Sequence, residues 1–596
     1  RRAPAHGRAR RSRGRLVGRV VAVVLLTLVL ASGWVGFRVY QAASALREAR
    51  SAATLLQHGF STGEVSASGL ATVQRASARA AAASSDPLWR LAEVVPVAGT
   101  QLRSVRVVSS ALSDVTNEVV PPLEDVLGKV RAGGLRTADG RIDVAAVQAM
   151  APGLARADEV AARARSQVDS LDTRGLIGPL AGPVAQVQDV LGEVAGTTHA
   201  ASTVASLAPV MLGADGPRTY LVLALNSAEL RSAGGIVGAV TAIHVDHGAV
   251  TLGAQLSTRD LPKLADPVLP LTEDELAVAG DRIGRWVQDS TLTPDFPRTG
   301  QLVAARWVAA QGGTVDGVVS LDAPGVAQLL AATGPVVTSD GQTLTSDGFV
   351  AAVLQAPYQD EVDAGAVDRM FADVAGAVFR SVLGGSGDQR ALLTATRTVA
   401  ADGRLRIWSA HAEEQAVLEP TQVGAAFLSG PFPTAVGVFL NDATAGKLDY
   451  YLTTSLEVVD TQCAAGAGTA TLRLTLTYRP PDGVAGASQY LRGPGLPGVP
   501  PGDLATSILI AVGQGDQVGP ITEDGVSVGG RELLWAGRGT QTLTSLLAPG
   551  QAVTYEVQVP VHGDHLDVWA TPTITQGGHL SASCAPVSAR PAATNG

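Results

Sequence analysis

Cysteine is scarce in this chain of 596 residues, and several common site motifs are missing altogether. The two cysteines, Cys463 and Cys584, both lie near the C-terminus; they form one disulfide if that region is in an oxidising compartment, and are otherwise two unrelated thiols. Neither a CxxC nor an HxxxH spacing occurs, so a structural zinc site is not expected and no metal ligand is predicted. No P-loop is present, which argues against ATP-dependent chemistry.

Lysine is nearly absent, and the basic residues are distributed unevenly along the chain. The formal net charge is -9, yet eight of the first nineteen residues are arginine and none is acidic. Removing these eight from the 45 basic residues leaves 37 against 54 acidic ones, a net charge of -17 for the remainder. A nucleic-acid-binding protein carries its positive charge on the folded body, so nucleic acid is not an expected partner.

An uncharged run, Val20 to Phe37, is bounded by Arg19 and Arg38. Eighteen helical residues span about 27 Å, close to the hydrocarbon thickness of a bilayer. We predict a disordered basic cytoplasmic arm over residues 1–19 and a transmembrane helix over 20–40, with all later residues extracytoplasmic. A cleaved signal peptide is the alternative, but its apolar region would be shorter than this run. The predicted location is the plasma membrane, single-pass, with the N-terminus inside.

Residues 41–210 have the apolar period of helices and are rich in alanine. Prolines and glycines divide the pattern into several helices, and the Pro121-Pro122 pair is predicted to end or kink a long helix. We therefore predict an extracytoplasmic helical bundle that is structural or mediates self-association. A sensor is the weaker alternative, because no second span leads to a cytoplasmic output domain.

After residue 215 the apolar residues recur at every second position, which is typical of β-strands. Residues 215–400 are predicted to form an α/β core domain. Tyr220 to Leu225 is expected to be a buried strand, followed by a hairpin with its turn at His247-Gly248. Strands that alternate with helices indicate an α/β or α+β sheet. Residues 430–590 alternate in short runs and predict an antiparallel β-sandwich of immunoglobulin-like type. The expected fold class is thus multidomain α+β.

Polar residues cluster where the first strand ends, beside the glycine pair Gly234-Gly235. A rigid strand positions such groups, and glycine allows a ligand to approach closely. Glu229 and Arg231 are either ligand contacts or a local ion pair, and Arg259-Asp260 is either catalytic or a strand cap. The predicted ligand-binding residues are Asn226, Glu229, Arg231, Arg298 and Arg369, and the predicted catalytic residues are Arg259 and Asp260.

Several separated motifs resemble one bacterial family in the same order. The strings are AELRSAGGIVGAV (228–240), DSTLTPDFPRTGQLVAARW (289–307), VDGVVSLDAPGVAQLLAATGPV (315–336) and FLNDATAGKLDYYL (439–452). They resemble the bacterial domain of unknown function 4012, and the last resembles its actinobacterial members. The resemblance extends over most of the chain, but this family implies no activity.

A more distant resemblance is to the LytR-CpsA-Psr family, which transfers glycopolymers from a polyprenyl-phosphate lipid to peptidoglycan outside the membrane. Ser257-Thr258-Arg259-Asp260 resembles its S-x-P-R-D motif, with threonine for the proline. Glu229 to Arg231 is a loose counterpart of its strand-end D-x-R, and Asp368-Arg369 resembles its helical arginine. Such an enzyme implies arginines on a pyrophosphate and acids that hold a divalent cation, with Mg²⁺ as the cofactor it allows.

Two functions follow from these patterns. The first is an envelope protein that binds a polyprenyl-linked glycan or peptidoglycan through an arginine-lined anion pocket, and that acts, if it is an enzyme, as a LytR-CpsA-Psr-like glycopolymer phosphotransferase. The second is a non-catalytic structural or assembly protein of a surface-polysaccharide complex.

Overall fold

The computed structural model describes residues 10–62, 67–359, 364–383, 388–464, 467–563 and 565–584. These residues form two compact units. One comprises residues 10–135 and 143–209, and the other comprises residues 136–142 and 210–584. The second unit holds both the predicted core and the C-terminal β region, and the expectation of a mixed α+β class is confirmed.

The apolar run lies inside one helix of 53 residues, α1 (Arg10–Thr62). Within the described part of the chain, α1 holds the one helix segment that is long and apolar enough to cross a membrane, Arg19–Glu48. The prediction of a disordered basic arm is wrong for residues 10–19, which continue this helix, and residues 1–9 lie outside the described residues. Arginine is a good helix former, and adding a turn to an existing helix avoids the cost of nucleation.

Small residues allow the helices of the first unit to pack closely. On the longest stripe, from Val147 to Val168, the residues at spacings of three and four are buried, and alanine makes up much of the seam. Its part from Ala157 to Val168 packs with Val108, Val115 and Leu191 in one hydrophobic cluster. The remaining helices are α2 (Ala67–Ser84), α3 (Pro87–Ala92), α4 (Ala98–Asp114), α5 (Val120–Arg131), α6 (Val144–Asp169) and α7 (Gly178–Met211).

The proline pair at 121–122 does not end its helix. A single π-helical stretch, Val115–Val119, joins α4 to α5 directly in front of it. Proline lacks the N–H that an interior helical residue donates, and a wider turn relieves this conflict without breaking the rod. The predicted break is therefore a local change of helical pitch.

The second unit begins with a five-stranded sheet in the order β3-β2-β1-β4-β7. Strand β2 is antiparallel to both β1 and β3, while β1 and β4 run parallel. His247 and Gly248 both have positive φ, as the predicted two-residue hairpin turn requires. The strands are β1 (Arg218–Asn226), β2 (Ile236–Asp246), β3 (Ala249–Ser257), β4 (Gly317–Asp322), β5 (Val336–Val337), β6 (Thr343–Leu344) and β7 (Arg406–Ser409).

Helices follow or precede these strands and cover the sheet. Phe296 and Trp307 on one of them are buried with Leu221, Leu223 and Val318 of the sheet. The helices are α8 (Glu273–Val278), α9 (Arg282–Arg285), α10 (Phe296–Gln311), α11 (Ala323–Thr333), α12 (Ser346–Leu354), α13 (Ala364–Leu383), α14 (Gln389–Ala401) and α15 (Ala412–Leu418).

Two further sheets form the C-terminal region and share a hydrophobic cluster. Their orders are β13-β12-β16-β10-β9 and β14-β15-β11-β8-β17-β18. The elements are β8 (Val436–Asp442), β9 (Leu452–Ala464), β10 (Ala467–Tyr478), α16 (Gln489–Arg492), β11 (Leu504–Gln514), β12 (Ile521–Glu523), β13 (Val526–Val528), β14 (Arg531–Trp535), β15 (Arg538–Leu547), β16 (Ala552–His562), β17 (His565–Ala570) and β18 (His579–Ser583).

One strand pair in this region departs from the prediction. The expected purely antiparallel arrangement is wrong at β8 and β17, which are parallel. Strand order explains this, because β8 enters from the core domain and its neighbour is the next-to-last strand, so no short hairpin joins them. The immunoglobulin-like assignment stays a prediction.

Cys463, on β9, and Cys584, directly after β18, are joined in a disulfide, with Cα atoms 5.6 Å apart. The bridge closes a loop of 121 residues that contains most of the C-terminal strands. Closing a loop of that size removes conformational freedom mainly from the unfolded chain.

Reduction of this disulfide is therefore expected to lower the free energy of unfolding by about 5 kcal/mol, in the chain-entropy account. Urea unfolding of the full chain, monitored by tryptophan fluorescence with and without reductant, measures the change. The Cys463→Ala/Cys584→Ala double variant is the control, and reductant should leave its midpoint unchanged. Equal midpoints for the oxidised and reduced wild type would contradict the expectation.

Candidate functional site

A tight turn ends β3 and exposes one arginine. Asp260 accepts hydrogen bonds from the Ser257 amide at 2.8 Å and from its hydroxyl at 2.9 Å. The Ser257 hydroxyl oxygen in turn accepts from the Arg259 amide at 3.3 Å. Asp260 therefore holds the turn, and the Arg259 side chain, about half exposed, projects from it.

Helix α13 lies across from this turn. The Nη2 and Nε atoms of Arg259 contact one carboxylate oxygen of Asp368 at 2.6 and 3.1 Å. The next residue on the helix, Arg369, is exposed and lines the same space. The sheet edge and the helix thus enclose a cleft of about 300 Å³, lined also by Gly238, Gln255 and Phe371. Its size is at the lower end of the range for ligand sites.

Of the predicted site residues, Arg259, Asp260 and Arg369 meet in this cleft. Arg369 is more than 100 residues from the adjacent pair Arg259 and Asp260, so only the packing of α13 on the edge of the sheet brings them together. Sequence reasoning did not assign a role to Ser257 or Asp368, although each lies in a motif that it singled out. We call this space the β3–α13 cleft.

Arg231, in contrast, is 1% exposed and lies inside the second unit. Its Nη2 contacts Glu229 at 2.8 Å and Asp289 at 3.0 Å, and its Nη1 donates to the Leu230 carbonyl oxygen at 2.8 Å. Burial by itself would lower the pKa of Arg231, but the carboxylates of Glu229 and Asp289 outweigh it and hold the pKa above its ordinary value. The charged form is thus fixed by its partners.

Glu229 completes this buried cluster. Its second carboxylate oxygen pairs with Lys447, which lies in the segment between β8 and β9. Burial would raise the pKa of Glu229, but Lys447 and Arg231 reverse the effect and lower it. We call Glu229, Arg231, Asp289 and Lys447 the Arg231 cluster. It joins the segment after β1 to the segment that precedes α10 and to the C-terminal region.

The ligand role predicted for Glu229 and Arg231 is thus corrected to the ion pair that was its alternative. The side chain of Asn226 also bonds within the protein. Its amide nitrogen donates to the Tyr358 hydroxyl at 2.8 Å, and its oxygen accepts from the Ala228 amide at 3.0 Å. Both groups are buried, which leaves no surface for a ligand in this structure.

The glycine pair beside them allows contact between protein segments rather than with a ligand. A Cβ on Gly235 would lie 2.6 Å from the backbone of Asn226, and one on Gly234 would lie 2.9 Å from Pro572. Only glycine fits where another part of the chain approaches this closely.

Arg298 is corrected in the same way. Its guanidinium contacts the two oxygens of Glu275 at 2.6 and 3.0 Å and donates to the Pro270 carbonyl oxygen at 2.6 Å. A bidentate pair of this kind fixes α8 against α10. Asp295 accepts from the amides of Leu428 and Ser429, so the Asp-Phe-Pro-Arg segment starts a helix and docks it.

Residues 215–358 match a family model described as a protein of unknown function, DUF4012. The predicted resemblance to this family is confirmed. The matched segment contains the Ser257–Asp260 side of the β3–α13 cleft, and Asp368 and Arg369 follow it. A search of the curated proteins gives no significant match.

Three solved structures show a partial likeness, each at 12% sequence identity. They are a protein from Streptococcus agalactiae (TM-score 0.24, 35% of this chain, 74% of that chain), a protein from Listeria innocua (0.22, 35% and 79%) and a protein from Enterococcus faecalis described as a transcriptional regulator (0.22, 36% and 74%). These TM-scores are below the level that indicates a shared fold.

Truncation of Arg231 is expected to destabilise the second unit strongly. Arg231→Ala leaves the carboxylates of Glu229 and Asp289 buried without their partner, which costs about 3–5 kcal/mol. The matched control is Arg259→Ala, because a half-exposed pair contributes less than about 1 kcal/mol. Urea unfolding midpoints measure both, and equal shifts would show that the buried cluster is not a stabilising link.

Asp449, next to this cluster, predicts a pH dependence. Burial raises its pKa well above the usual range, and the neighbouring Asp442 and Glu229 add to the effect. Its stabilising contribution is therefore complete below about pH 4 and is lost as pH rises through the folded pKa.

The Asp449→Asn variant keeps an oxygen for the Leu230 amide, which now donates to Asp449 at 2.7 Å, and removes the charge. Near neutral pH the variant should melt at a higher temperature than wild type, and the difference should shrink towards pH 4. Thermal melts across this range measure it. A constant difference, or a lower melting temperature at neutral pH, would refute the expected ionisation.

Proposed function

We propose that the protein is a single-pass, membrane-anchored protein of the cell envelope whose β3–α13 cleft binds the phosphate groups of a lipid-linked glycopolymer. The observation that carries this proposal is the meeting of Arg259 and Arg369 across one cleft. Guanidinium groups bind phosphate oxygens through charge-assisted, often bidentate hydrogen bonds. The distant resemblance to the LytR-CpsA-Psr family supports this ligand class.

Membrane anchoring supports the same ligand. The exposed apolar face of α1 fits a bilayer, and the excess of arginine before it favours a cytoplasmic N-terminus. The second unit then lies outside the membrane, where polyprenyl-linked glycans are presented and nucleotides are scarce. A lipid-linked phosphate is accordingly a better candidate ligand than a cytosolic metabolite.

Phosphate binding would change the pairing of Arg259. In the structure its partner is Asp368, so an incoming phosphate either replaces that carboxylate or shares it through a divalent cation. Mg²⁺ is usually held by one or two carboxylates together with phosphate oxygens, and Asp368 fits such a role. A cage of three acidic or histidine ligands is not found among the described residues. Binding is therefore proposed, and the transfer reaction stays a prediction.

A non-catalytic assembly role is the second candidate function. The observation that favours it is the Arg231 cluster, because Glu229, Arg231 and Asp289 of the family-matched segment pair with one another and with Lys447 of the same chain. Self-association through the helical bundle belongs to this candidate.

Binding of a polyprenyl-pyrophosphate glycan to the full chain in lipid nanodiscs, with and without Mg²⁺, separates the two functions. Wild type is expected to bind, and Arg259→Ala or Arg369→Ala should weaken binding by about 10- to 100-fold, since one hydrogen bond to a charged group contributes about 1.5–3 kcal/mol. The matched control is Arg473→Ala, because Arg473 is also half exposed and pairs with a carboxylate, Glu556, on the C-terminal sheet.

Wild-type affinity in Arg259→Ala and Arg369→Ala, or no binding by wild type, would remove the ligand function. The assembly function would then be tested by the mass of the detergent-solubilised protein.

A further inference from the structure

An apolar patch lies on the first unit beside the proposed membrane span. Large apolar side chains are normally scattered singly on a protein surface, and a contiguous group of them indicates an interaction site. Here Leu91, Val94, Val95 and Val97 follow one another within seven residues and are 50–79% exposed. Together with Ile177 (52% exposed) they form what we call the α3–α4 patch.

Ile177 belongs to the same patch because Gln101 holds its segment. The Gln101 side-chain amide donates to the Gly175 carbonyl oxygen at 3.0 Å, and its oxygen accepts from the Ile177 amide at 3.1 Å. Gln101 lies in the first turn of α4, three residues after Ala98 at the helix start. The two parts of the patch are therefore neighbours.

The patch is tied to the end of the apolar run of α1. Asp86, the residue before α3, accepts from Trp34 Nε1 at 3.1 Å and from Arg38 Nη2 at 3.1 Å. Trp34 and Arg38 lie at the end of the run, where an aromatic and a basic residue mark the boundary between hydrocarbon and water. The residue before α3, the short helix that leads into the patch, is thus hydrogen-bonded directly to side chains at the proposed membrane boundary.

Trp89 fixes the distance of the patch from the end of the apolar run of α1. Its side chain is fully buried against Ala42 of α1 and Ala83, and its Nε1 donates to the Leu102 carbonyl oxygen at 3.1 Å. Ala42 is five residues past Phe37, or about 8 Å along the helix. That height corresponds to the headgroup layer, into which interfacial apolar segments insert by about 5–10 Å.

The backbone of the patch is held in a strained conformation that exposes an apolar side chain. Val97 has a φ of 66°, which is rare for a β-branched residue. Glu93 braces the loop from behind through contacts with Arg106 at 2.6 and 3.0 Å. Val97 therefore occupies a conformation that costs energy, and its apolar side chain is 78% exposed.

We infer that the α3–α4 patch inserts into the outer headgroup layer of the bilayer that α1 spans. This inference rests on the proposed membrane anchoring. The occupant is lipid because the patch begins at the membrane end of α1 and presents aliphatic side chains, with the exposed Arg90 available to lipid phosphates. A second membrane contact would restrict rotation of the first unit about its anchor.

Depth-dependent quenching tests the inference with the full chain in vesicles of phosphatidylcholine and phosphatidylglycerol. Single cysteines, labelled with the fluorophore NBD, are introduced as Val94→Cys and Val97→Cys; the two native cysteines are bridged and do not label. Val204→Cys is the matched control, since Val204 is 63% exposed and lies 27 residues after Ile177, about 40 Å further along α7. Leu26→Cys, inside the apolar run, reports whether α1 is inserted.

Lipids with a nitroxide on the upper acyl chain are expected to quench the labels at 94 and 97 several-fold more than the label at 204. Quenching at 26 with no excess at 94 and 97 would overturn the inference and leave the anchoring intact. No quenching at 26 would remove the anchoring itself. A blue-shifted emission at 94 and 97 without lipid quenching would assign the patch to a protein partner, and this also overturns the inference.

Discussion

The buried arginine Arg231 imposes a constraint on which much of the second unit depends. Arg231 is almost completely removed from water, so its charge must be compensated by carboxylates in the same interior. These come from Glu229 and from the more distant Asp289, and Glu229 also requires Lys447. Because Asp289 and Lys447 come from distant parts of the chain, the charge balance can be met only when the core sheet and the C-terminal region are assembled together.

This pairing also divides the predicted site arginines into two groups. Arg231 and Arg298 are paired with carboxylates, whereas Arg259 and Arg369 are exposed at the edge of the sheet, in the β3–α13 cleft. The pairing of Arg259 with Asp368 is exposed and weak by comparison, so a ligand can compete with it. The same contrast separates residues that hold the fold from residues that serve the proposed function.

The secondary structure followed closely from local patterns. The hairpin at His247-Gly248 and the strand from Tyr220 both appear as predicted, because turn chemistry and the apolar period act over a few residues. The site was predicted less well. The sequence shows that Arg231 and Arg259 are charged. Burial makes Arg231 a structural link and leaves Arg259 exposed, and it depends on segments more than 200 residues away.

By itself, the sequence determined the apolar span, the alanine-rich helices, the positions of helical and β segments along the chain, and the presence of two cysteines. Each of these depends on composition and spacing. Only the tertiary structure decided which arginines form ion pairs with buried carboxylates. It also decided that Ser257 to Asp260 faces α13, and that Trp89 brings an apolar loop to the end of α1. These are long-range packing outcomes. The free energy of a charge or an apolar side chain depends on what surrounds it, and its surroundings come from elsewhere in the chain.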